Sequence, residues 1–389
     1  MPGINNSMNV QHATRHLNRT QEMLANATEE LASGRRINRA KDDAAGLAIA
    51  AGLTTQISGM NQAERNAYDG VSMAQTAEKA LSVYSDSLQR IRELAVQASN
   101  ITLSPDALRV IQGEVNQLLT GLNDVANSTT FNGQNLLDGT MAAQTFQVGP
   151  DAGDTVTVGG TDFRTNAYGN NRLESSAVQP GTTVAASTLT VSGSAGSATV
   201  AVDAGASAAD VAAAINAQSG NTGVTASATT EVNLGNLQPS QDYAFELTSG
   251  NAQPVTVAFS VGADGDLASA VEAFNQQSAK TGVTAQTDAV TGGIKLTNAA
   301  GDIVGLQAKP GSNLTSTMRE YDAEGNLSAA ATVTDAGVTE AAGTLTLNSP
   351  EAFSVTESTP MNGIALSGPS RLDTVGSISL QSFEDAQRA

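Results

Sequence analysis

Apolar residues follow one long stripe between residues 46 and 98, where they recur at alternating intervals of three and four. The stripe runs from Gly46 through Leu53, Leu81 and Ile91 to Ala98. This spacing places the side chains along one face of an α-helix about 80 Å long. Further apolar residues flank the stripe, so the face that needs burial is wider than a two-stranded seam. Because one helix cannot bury this face on itself, the pattern predicts a bundle of long helices.

A second apolar pattern precedes the long stripe. One residue recurs at every seventh position: Val10, Leu17, Leu24 and Leu31. This is the spacing of a coiled-coil seam, here on a helix over residues 4–33 that ends at Ser33-Gly34. The segment is rich in Asn and Thr, and its helicity must come from packing. We therefore expect it to be disordered in the free monomer and ordered in an assembly.

A third helix is predicted after residue 103, with Ser104 as its cap and Pro105 in its first turn. The loop before it is short, so this helix should run antiparallel to the long one. A turn at Asn132-Gly133 then leads into short alternating strands.

An internal repeat marks the second half of the chain. Residues 214–226 (AINAQSGNTGVTA) align with residues 273–285 (AFNQQSAKTGVTA) at an offset of 59 residues. An alternating strand and a short helix precede each copy, which predicts two β-β-α-β units. Residues 300–365 are strand-like but less regular, and we place them in the same region. The predicted fold class is α+β, a long antiparallel helical bundle or coiled-coil stalk with small β-rich outer domains inserted.

Composition and charge exclude several classes of function. There is no Cys, so no disulfide or thiolate site exists. The net charge of −19 argues against nucleic-acid binding. No apolar run is long enough for a membrane span. The N-terminus has no basic-then-apolar signal pattern, so we expect export by a route other than Sec.

Candidate catalytic chemistry is sparse. His12 and His16 have the spacing of two metal ligands on a helix, but no third ligand accompanies them. Asp264 and Asp266 hint at a calcium loop, although a turn is the better interpretation. No His follows residue 16, which leaves no partner for a Ser nucleophile. We expect no enzymatic activity, no metal and no cofactor.

The densest basic cluster lies between the first two helices: Arg35, Arg36, Arg39 and Lys41. One interpretation is a solvated linker. The other is a charge contact to a neighbouring subunit.

Several motifs resemble the N-terminal region of bacterial flagellin. They are LASGRRINRAKDDAAGLAIA (31–50), RNAYDGVSMAQTAEKAL (65–81), QRIRELAVQASN (89–100), IQGEVNQL (111–118) and FNGQNLL (131–137). The resemblance covers about residues 1–165 and implies a structural subunit that self-assembles into the flagellar filament for motility. It further implies secretion by the flagellar type III system, an extracellular location in the flagellum, and three kinds of partner. These are other copies of the chain, an export chaperone, and the cap and hook-junction proteins.

The resemblance also assigns roles to segments and residues. It implies a filament-core helix at 1–44, a helical stalk with a β-hairpin at 45–178, a variable outer domain at 179–365, and the start of a truncated C-terminal stalk helix at 366–389. The seam of the first helix would then be the core polymerisation seam. A further set is similar to the patch contacted by the Toll-like receptor that senses flagellin: Gln89, Arg90, Glu93, Leu94, Gln97 and Glu114. The same residues could instead make subunit contacts in the filament.

Two alternatives remain open at this point. A hook–filament junction protein would share the N-terminal pattern more loosely. A monomeric, flagellin-like surface protein would bind a glycan or host ligand through the outer domain. The family's long C-terminal helical region has no counterpart after residue 389, so the seams are expected to lack that partner.

Overall fold

The computed structural model describes residues 4–100, 104–251, 253–288, 291–309 and 315–380. Helices occupy the N-terminal third and antiparallel strands most of the remainder, so the fold class is α+β as predicted. The chain divides into two compact units. The first comprises Met1–Gln97 and Gly113–Arg164, and the second comprises Ala98–Gln112 and Thr165–Ala389.

Three long helices confirm the spans predicted from periodicity. They are α1 (Ile4–Ser33), α2 (Ala44–Ala98) and α3 (Pro105–Ser128). Gly34 stops α1 in the left-handed conformation, at φ 66°. The Asp43 carboxylate accepts the Gly46 N–H at 2.9 Å at the start of α2. The Ser104 hydroxyl accepts the Ala107 N–H at 3.3 Å at the start of α3.

Within the first unit, α2 and α3 run antiparallel. Tyr84 on α2 donates its hydroxyl hydrogen to the Leu122 carbonyl of α3 at 2.9 Å. Further along α2, the Arg90 guanidinium forms a salt bridge with Glu114 of α3. The interior of this unit is apolar: Met73, Tyr84, Ile91, Leu94, Val115, Leu119, Leu122 and Ala126 are buried. The C-terminal part of the α2 stripe therefore has a covering, as its pattern requires.

Two hairpins complete the first unit: β1 (Thr130–Phe131) with β2 (Gln134–Asn135), and β3 (Gln144–Gln147) with β4 (Thr155–Val158). The second hairpin lies against α2, where Asn66 donates to the Gln147 carbonyl at 3.0 Å. A Cβ placed on Gly70 would stand 3.5 Å from the Phe146 ring, and one on Gly59 would stand 3.4 Å from Pro150. A methyl group at either position would make ordinary van der Waals contacts, so the hairpin packs on this face of the helix at normal distance.

The second unit holds the remaining elements. Its helices are α4 (Ala208–Asn216), α5 (Ser219–Thr222), α6 (Ala268–Asn275) and α7 (Ser278–Thr281). Its first strands are β5 (Gly169–Glu174), β6 (Ser187–Gly193), β7 (Gly196–Val202), β8 (Thr225–Gly235), β9 (Asp242–Thr248), β10 (Val255–Ser260) and β11 (Val283–Thr287). The next are β12 (Ile294–Asn298), β13 (Val304–Ala308), β14 (Ser316–Glu320), β15 (Ala331–Val333), β16 (Thr339–Ala341) and β17 (Thr344–Ser349). The last are β18 (Ser354–Glu357), β19 (Gly368–Pro369), β20 (Arg371–Thr374) and a 3₁₀ turn at Val375–Ser377.

The predicted repeats form two modules, and one is inserted into the other. The second module runs β9-β10-α6-α7-β11 and is closed by β12, which pairs with β11, and β13, which pairs with β9. The first runs β6-β7-α4-α5-β8 and is closed in the same way by β17 on β8 and β18 on β6. The whole second module therefore lies between β8 and its partner β17. Strand β8 also pairs with β12 and contributes to both apolar cores.

The two modules share a pattern of side-chain hydrogen bonds as well as their strand arrangement. The Asn216 side chain accepts the Ala226 N–H and donates to the Ala226 carbonyl, at 2.8 and 2.7 Å. Asn275 binds Ala285 in the same way, at 2.7 and 2.9 Å. We call each such pair of hydrogen bonds from one Asn side chain an asparagine bracket. The brackets recur at the offset of the sequence repeat, so the repeat is structural.

Two segments differ from the sequence-based division. Strand β5 pairs with β17, and β20 pairs with β5. The main segment of the second unit consequently begins at Thr165, before the predicted boundary at residue 179. Arg371–Thr374 is a strand within the segment predicted as the start of a stalk helix. Strand β5 is half-buried along its whole length although its sequence is polar. Arg172 pairs there with Glu174 and Asp373, at 3.3 and 3.5 Å. The helix start predicted at Ser382 lies outside the described residues.

Candidate functional site

The apolar seam of α1 is uncovered. All four of its residues are exposed, from 60% for Val10 to 86% for Leu31. The first turns of α2 behave in the same way, because Ile49, Leu53, Ile57 and Met60 are exposed too. An exposed apolar surface of this extent marks an interaction site.

The same stripe on α2 changes from exposed to buried along its length. Met60 is exposed, whereas Ala63, Tyr84 and Ile91 are almost fully buried. The spacing of apolar residues does not change between the two parts. The difference therefore lies in what covers the helix, and the N-terminal part is built to receive a covering.

The loop between α1 and α2 is ordered by its own polar groups. The Asp42 carboxylate accepts the N–H groups of Asn38 and Arg39, at 3.2 and 2.9 Å, and the bond from Arg39 lowers the pKa of that carboxyl. Arg39 also binds Glu29 at 2.8 Å. Arg35 and Arg36 are exposed. Arg39 and Lys41 are exposed as well, so all four cations of the predicted basic cluster are accessible to solvent.

The predicted receptor patch is assembled around Arg90. Its Nη2 lies 2.7 Å from Oε1 of Glu114, and its Nη1 lies 3.1 Å from Oε2 of Glu93. These hydrogen bonds, that to Glu114 above all, raise the pKa of the Arg90 guanidinium. Gln89 and Gln97 are exposed on the same stretch of α2. The structure brings these five side chains onto one accessible surface that spans two helices.

Leu94 does not share that surface. It is 1% exposed and lies on the buried stripe with Ile91 and Ala95, because residues 91, 94, 95 and 98 fall on one face of the helix. In this structure Leu94 supports the patch from within and is not accessible to a partner. This corrects its place in the predicted interface.

The remaining candidates for chemistry do not converge. His12 and His16 are exposed on α1, and the described ranges contain no group of three or more His, Cys, Asp or Glu arranged to hold a metal. Asp264 and Asp266 lie in a turn in which the Asp266 carboxylate accepts the Ala268 N–H at 3.0 Å. Along the described part of the chain, no helix is long and apolar enough to span a membrane.

Sequence reasoning missed one buried acid in the second unit. Glu320 is 2% exposed, and its carboxylate accepts the N–H groups of Val178 and Gly343, at 3.1 and 2.8 Å. Burial raises its pKa to about 7, although both hydrogen bonds act in the opposite direction. The alternating pattern of β14 could have placed its side chain inside, but gave no reason to expect a carboxyl there.

Helices with uncovered apolar faces are typical of a protein that assembles with further chains. The chain matches the bacterial flagellin N-terminal helical region over residues 4–142 and the flagellin hook IN motif over residues 188–238. The second match runs from β6 through β8, in the first module. Flagellin B of Vibrio anguillarum is 36% identical over 272 residues, which cover 67% of this chain and 72% of that protein.

Other relatives match in part. Phase 1 flagellin of Salmonella naestved is 49% identical over 143 residues, which cover 37% of this chain and 28% of that protein. The solved structure of FliC from Burkholderia pseudomallei is 32% identical and covers 36% of this chain and 57% of that one, with a TM-score of 0.26. The flagellar junction protein FlgL from Legionella pneumophila is 11% identical over 87% of this chain and 83% of that one, with a TM-score of 0.30. At such scores the superpositions carry no argument.

The chain belongs to the bacterial flagellin family. It is a structural subunit of the flagellar filament, and this membership disfavours the alternative of a monomeric ligand-binding surface protein.

Proposed function

We propose that this flagellin enters the filament through the exposed seam of α1 together with the exposed first turns of α2. In this proposal residues 1–44 become the filament core on incorporation, where covering of the seam stabilises the α1 helix. The segments 46–98 and 104–128 pack along the filament, and the outer region projects from it. The observation that carries the proposal is the full exposure of the α1 seam, from Val10 to Leu31.

The size of the exposed seam is suited to assembly. Burying a Leu or Val side chain contributes about 1.5–3 kcal/mol. The four seam residues of α1 could therefore contribute about 6–12 kcal/mol per copy before the costs of association. Such a gain is large enough to couple the ordering of α1 to its docking.

A double substitution tests this proposal. Leu17→Glu with Leu24→Glu should abolish sedimentable filaments, because two carboxylates would have to be desolvated in the seam. Both side chains are exposed, so thermal unfolding of the unassembled chain should be unchanged. Asn18→Glu, which adds a charge on α1 beside the seam, is the matched control and should assemble normally. Normal filaments from the double variant would contradict the proposal.

Export and location follow from the same proposal. The N-terminal segment would serve as the unfolded address for the flagellar type III apparatus, with a small chaperone holding the chain, and the product would be extracellular. The match of residues 4–142 to the bacterial flagellin N-terminal helical region supports this route. In cells that lack the flagellar export apparatus the chain should remain inside, and its appearance in the medium would refute this route.

The patch around Arg90 is the proposed contact for a host Toll-like receptor. Its support is the exposed set that the structure assembles, in which Arg90 joins Glu93 and Glu114 across two helices. Leu94 is excluded from direct contact by its burial. The same surface would be covered in a filament, so the receptor would bind the monomer.

A further inference from the structure

We propose that Met60 is a modification site, at which oxidation of the thioether by a two-electron oxidant such as hydrogen peroxide reversibly blocks assembly. The inference rests on the proposed assembly through the seam of α1 and the first turns of α2. It adds a chemical control of that assembly, because a single oxygen atom on one side chain determines whether this part of α2 can be covered.

Methionine is the residue type of this chain that is most open to such chemistry. The chain has no Cys and no Trp, so methionine supplies all of its sulfur atoms. Among the described residues, three methionines are exposed: Met8 at 55%, Met23 at 57% and Met60 at 57%. Three others are almost fully buried: Met73, Met318 and Met361. Because susceptibility to oxidation follows exposure, a peroxide in solution should react with the exposed three first.

Met60 lies on the apolar surface that assembly is proposed to cover. Ile49, Leu53 and Met60 point within about 40° of one another around α2, because separations of four, seven and eleven residues are close to whole helical turns. All three side chains are exposed. Covering of this surface by another chain would therefore enclose the Met60 sulfur.

The other two exposed methionines lie away from the seam of α1. Met8 is about 160° around the helix from Val10, and Met23 is about 100° from Leu24. Covering of the seam therefore does not require that either sulfur be enclosed. Met60 is consequently the exposed methionine whose oxidation should matter most for assembly.

The reaction transfers one oxygen atom to the side chain. A lone pair on Sδ of Met60 attacks hydrogen peroxide, and an S–O bond forms as the O–O bond breaks. The sulfur is oxidised by two electrons, and the peroxide is reduced to water. The product is methionine sulfoxide, a polar side chain that sulfoxide reductases convert back to methionine. In the free chain the sulfoxide stays hydrated, whereas in an assembly it must lose water without gaining a hydrogen-bond donor, which is unfavourable.

Treatment of the free chain with hydrogen peroxide tests the proposal. Peptide mass spectrometry should find a mass increase of about 16 Da on Met60, from the added oxygen. Thermal unfolding of the free chain should be unchanged, because this side chain is exposed. The critical concentration for assembly should rise about fivefold or more, the effect of burying an unpaired polar group. Subsequent treatment with methionine sulfoxide reductases should restore the untreated value.

Two variants separate Met60 from the other exposed methionines. Met60→Leu conserves the apolar volume and should assemble like the untreated wild type both before and after peroxide treatment. Met8→Leu with Met23→Leu keeps Met60 and should lose assembly on treatment as the wild type does. A Met60→Leu chain as sensitive as the wild type, or a treated free chain without oxidation at Met60, would overturn the inference. Failure of the untreated wild type to form filaments would overturn the assembly proposal first, and this inference with it.

Discussion

Arg90 is the residue on which the accessible patch depends, since its guanidinium joins α2 to α3 through Glu114 and reaches Glu93 on its own helix. The pair is solvent-exposed, and such pairs contribute little to the stability of a fold. Its importance is therefore in what it presents to a partner.

Substitution of Arg90 should change recognition and leave the fold intact. Arg90→Ala should lower Toll-like receptor signalling by the soluble chain at least tenfold, because it removes the cation and releases Glu114. Arg92→Ala, at another exposed position of the same turn, is the control. Leu94→Ala would be a poor probe, since a buried Leu→Ala change costs about 2–5 kcal/mol. Signalling equal to wild type from Arg90→Ala would remove this residue from the receptor site.

Two glycines of α2 should respond oppositely to the same substitution. A Cβ on Gly52 would meet no atom within 4 Å, whereas one on Gly46 would overlap the Asp43 carboxylate and stand 2.9 Å from Cδ1 of Ile37. Gly52→Ala should stabilise the helix by about 1 kcal/mol, and Gly46→Ala should destabilise it by disturbing the cap. Thermal unfolding followed by far-UV circular dichroism measures both. Equal shifts in one direction would contradict this account of the cap.

Glu320 should make the second unit less stable as the pH rises. Its pKa is about 7 in the fold against 4.5 for the ordinary group, so the folded state retains a proton that the unfolded chain has released between these values. Stability is greatest below pH 4.5 in this respect and falls by about 3 kcal/mol up to pH 7. Urea unfolding across this range should show the loss. Glu320→Gln should flatten the dependence, while Glu351→Gln, at an exposed site, should not.

At the scale of elements, the second unit is defined by strand pairing between distant segments. The hairpin, helix and following strand of each module are local and could be predicted from the repeat. The closing strands β17 and β18 could not, because alternation in a short strand does not identify its partner. Strand β5 was missed for a different reason, since its burial depends on Arg172 and its carboxylate partners and not on apolar alternation.

For the helices, the spans could be predicted from the sequence, but the surfaces that cover them could not. Their spans follow from periodicity and cap residues, and the structure confirms them. The surfaces that cover them could not be predicted, because the apolar spacing is the same at exposed Met60 and at buried Tyr84. For the same reason Leu94 could not be separated from its polar neighbours until α2 had a defined buried face.

The asparagine brackets should contribute equally to the two modules. Asn275→Ala removes one acceptor and one donor for Ala285, and should lower the free energy of unfolding by about 1 kcal/mol. Asn216→Ala should cost a similar amount through Ala226. Urea unfolding of both variants is the measurement, with Gln276→Ala as the exposed neighbouring control. A large effect in one module and none in the other would show that the brackets are not equivalent.

At the scale of the whole molecule, the two units differ in how far they are complete. The second unit has two closed apolar cores, rich in aromatic and branched side chains. The first unit leaves the seam of α1 and the first turns of α2 exposed. In the proposed assembly, the second unit folds independently of polymerisation, and the exposed apolar faces of the N-terminal helices drive that polymerisation.

The insertion of one module into the other determines the order in which the modules fold in a chain that is delivered N-terminus first. Strand β6 cannot pair with β18, nor β8 with β17, until the entire second module has emerged. The second module meets no such delay, because its closing strands β12 and β13 follow at once. The later-synthesised module should therefore fold first, and the earlier one should close around it. For a chain delivered at the tip of a growing filament, the pairing of the first module with its closing strands would be the last of these folding steps.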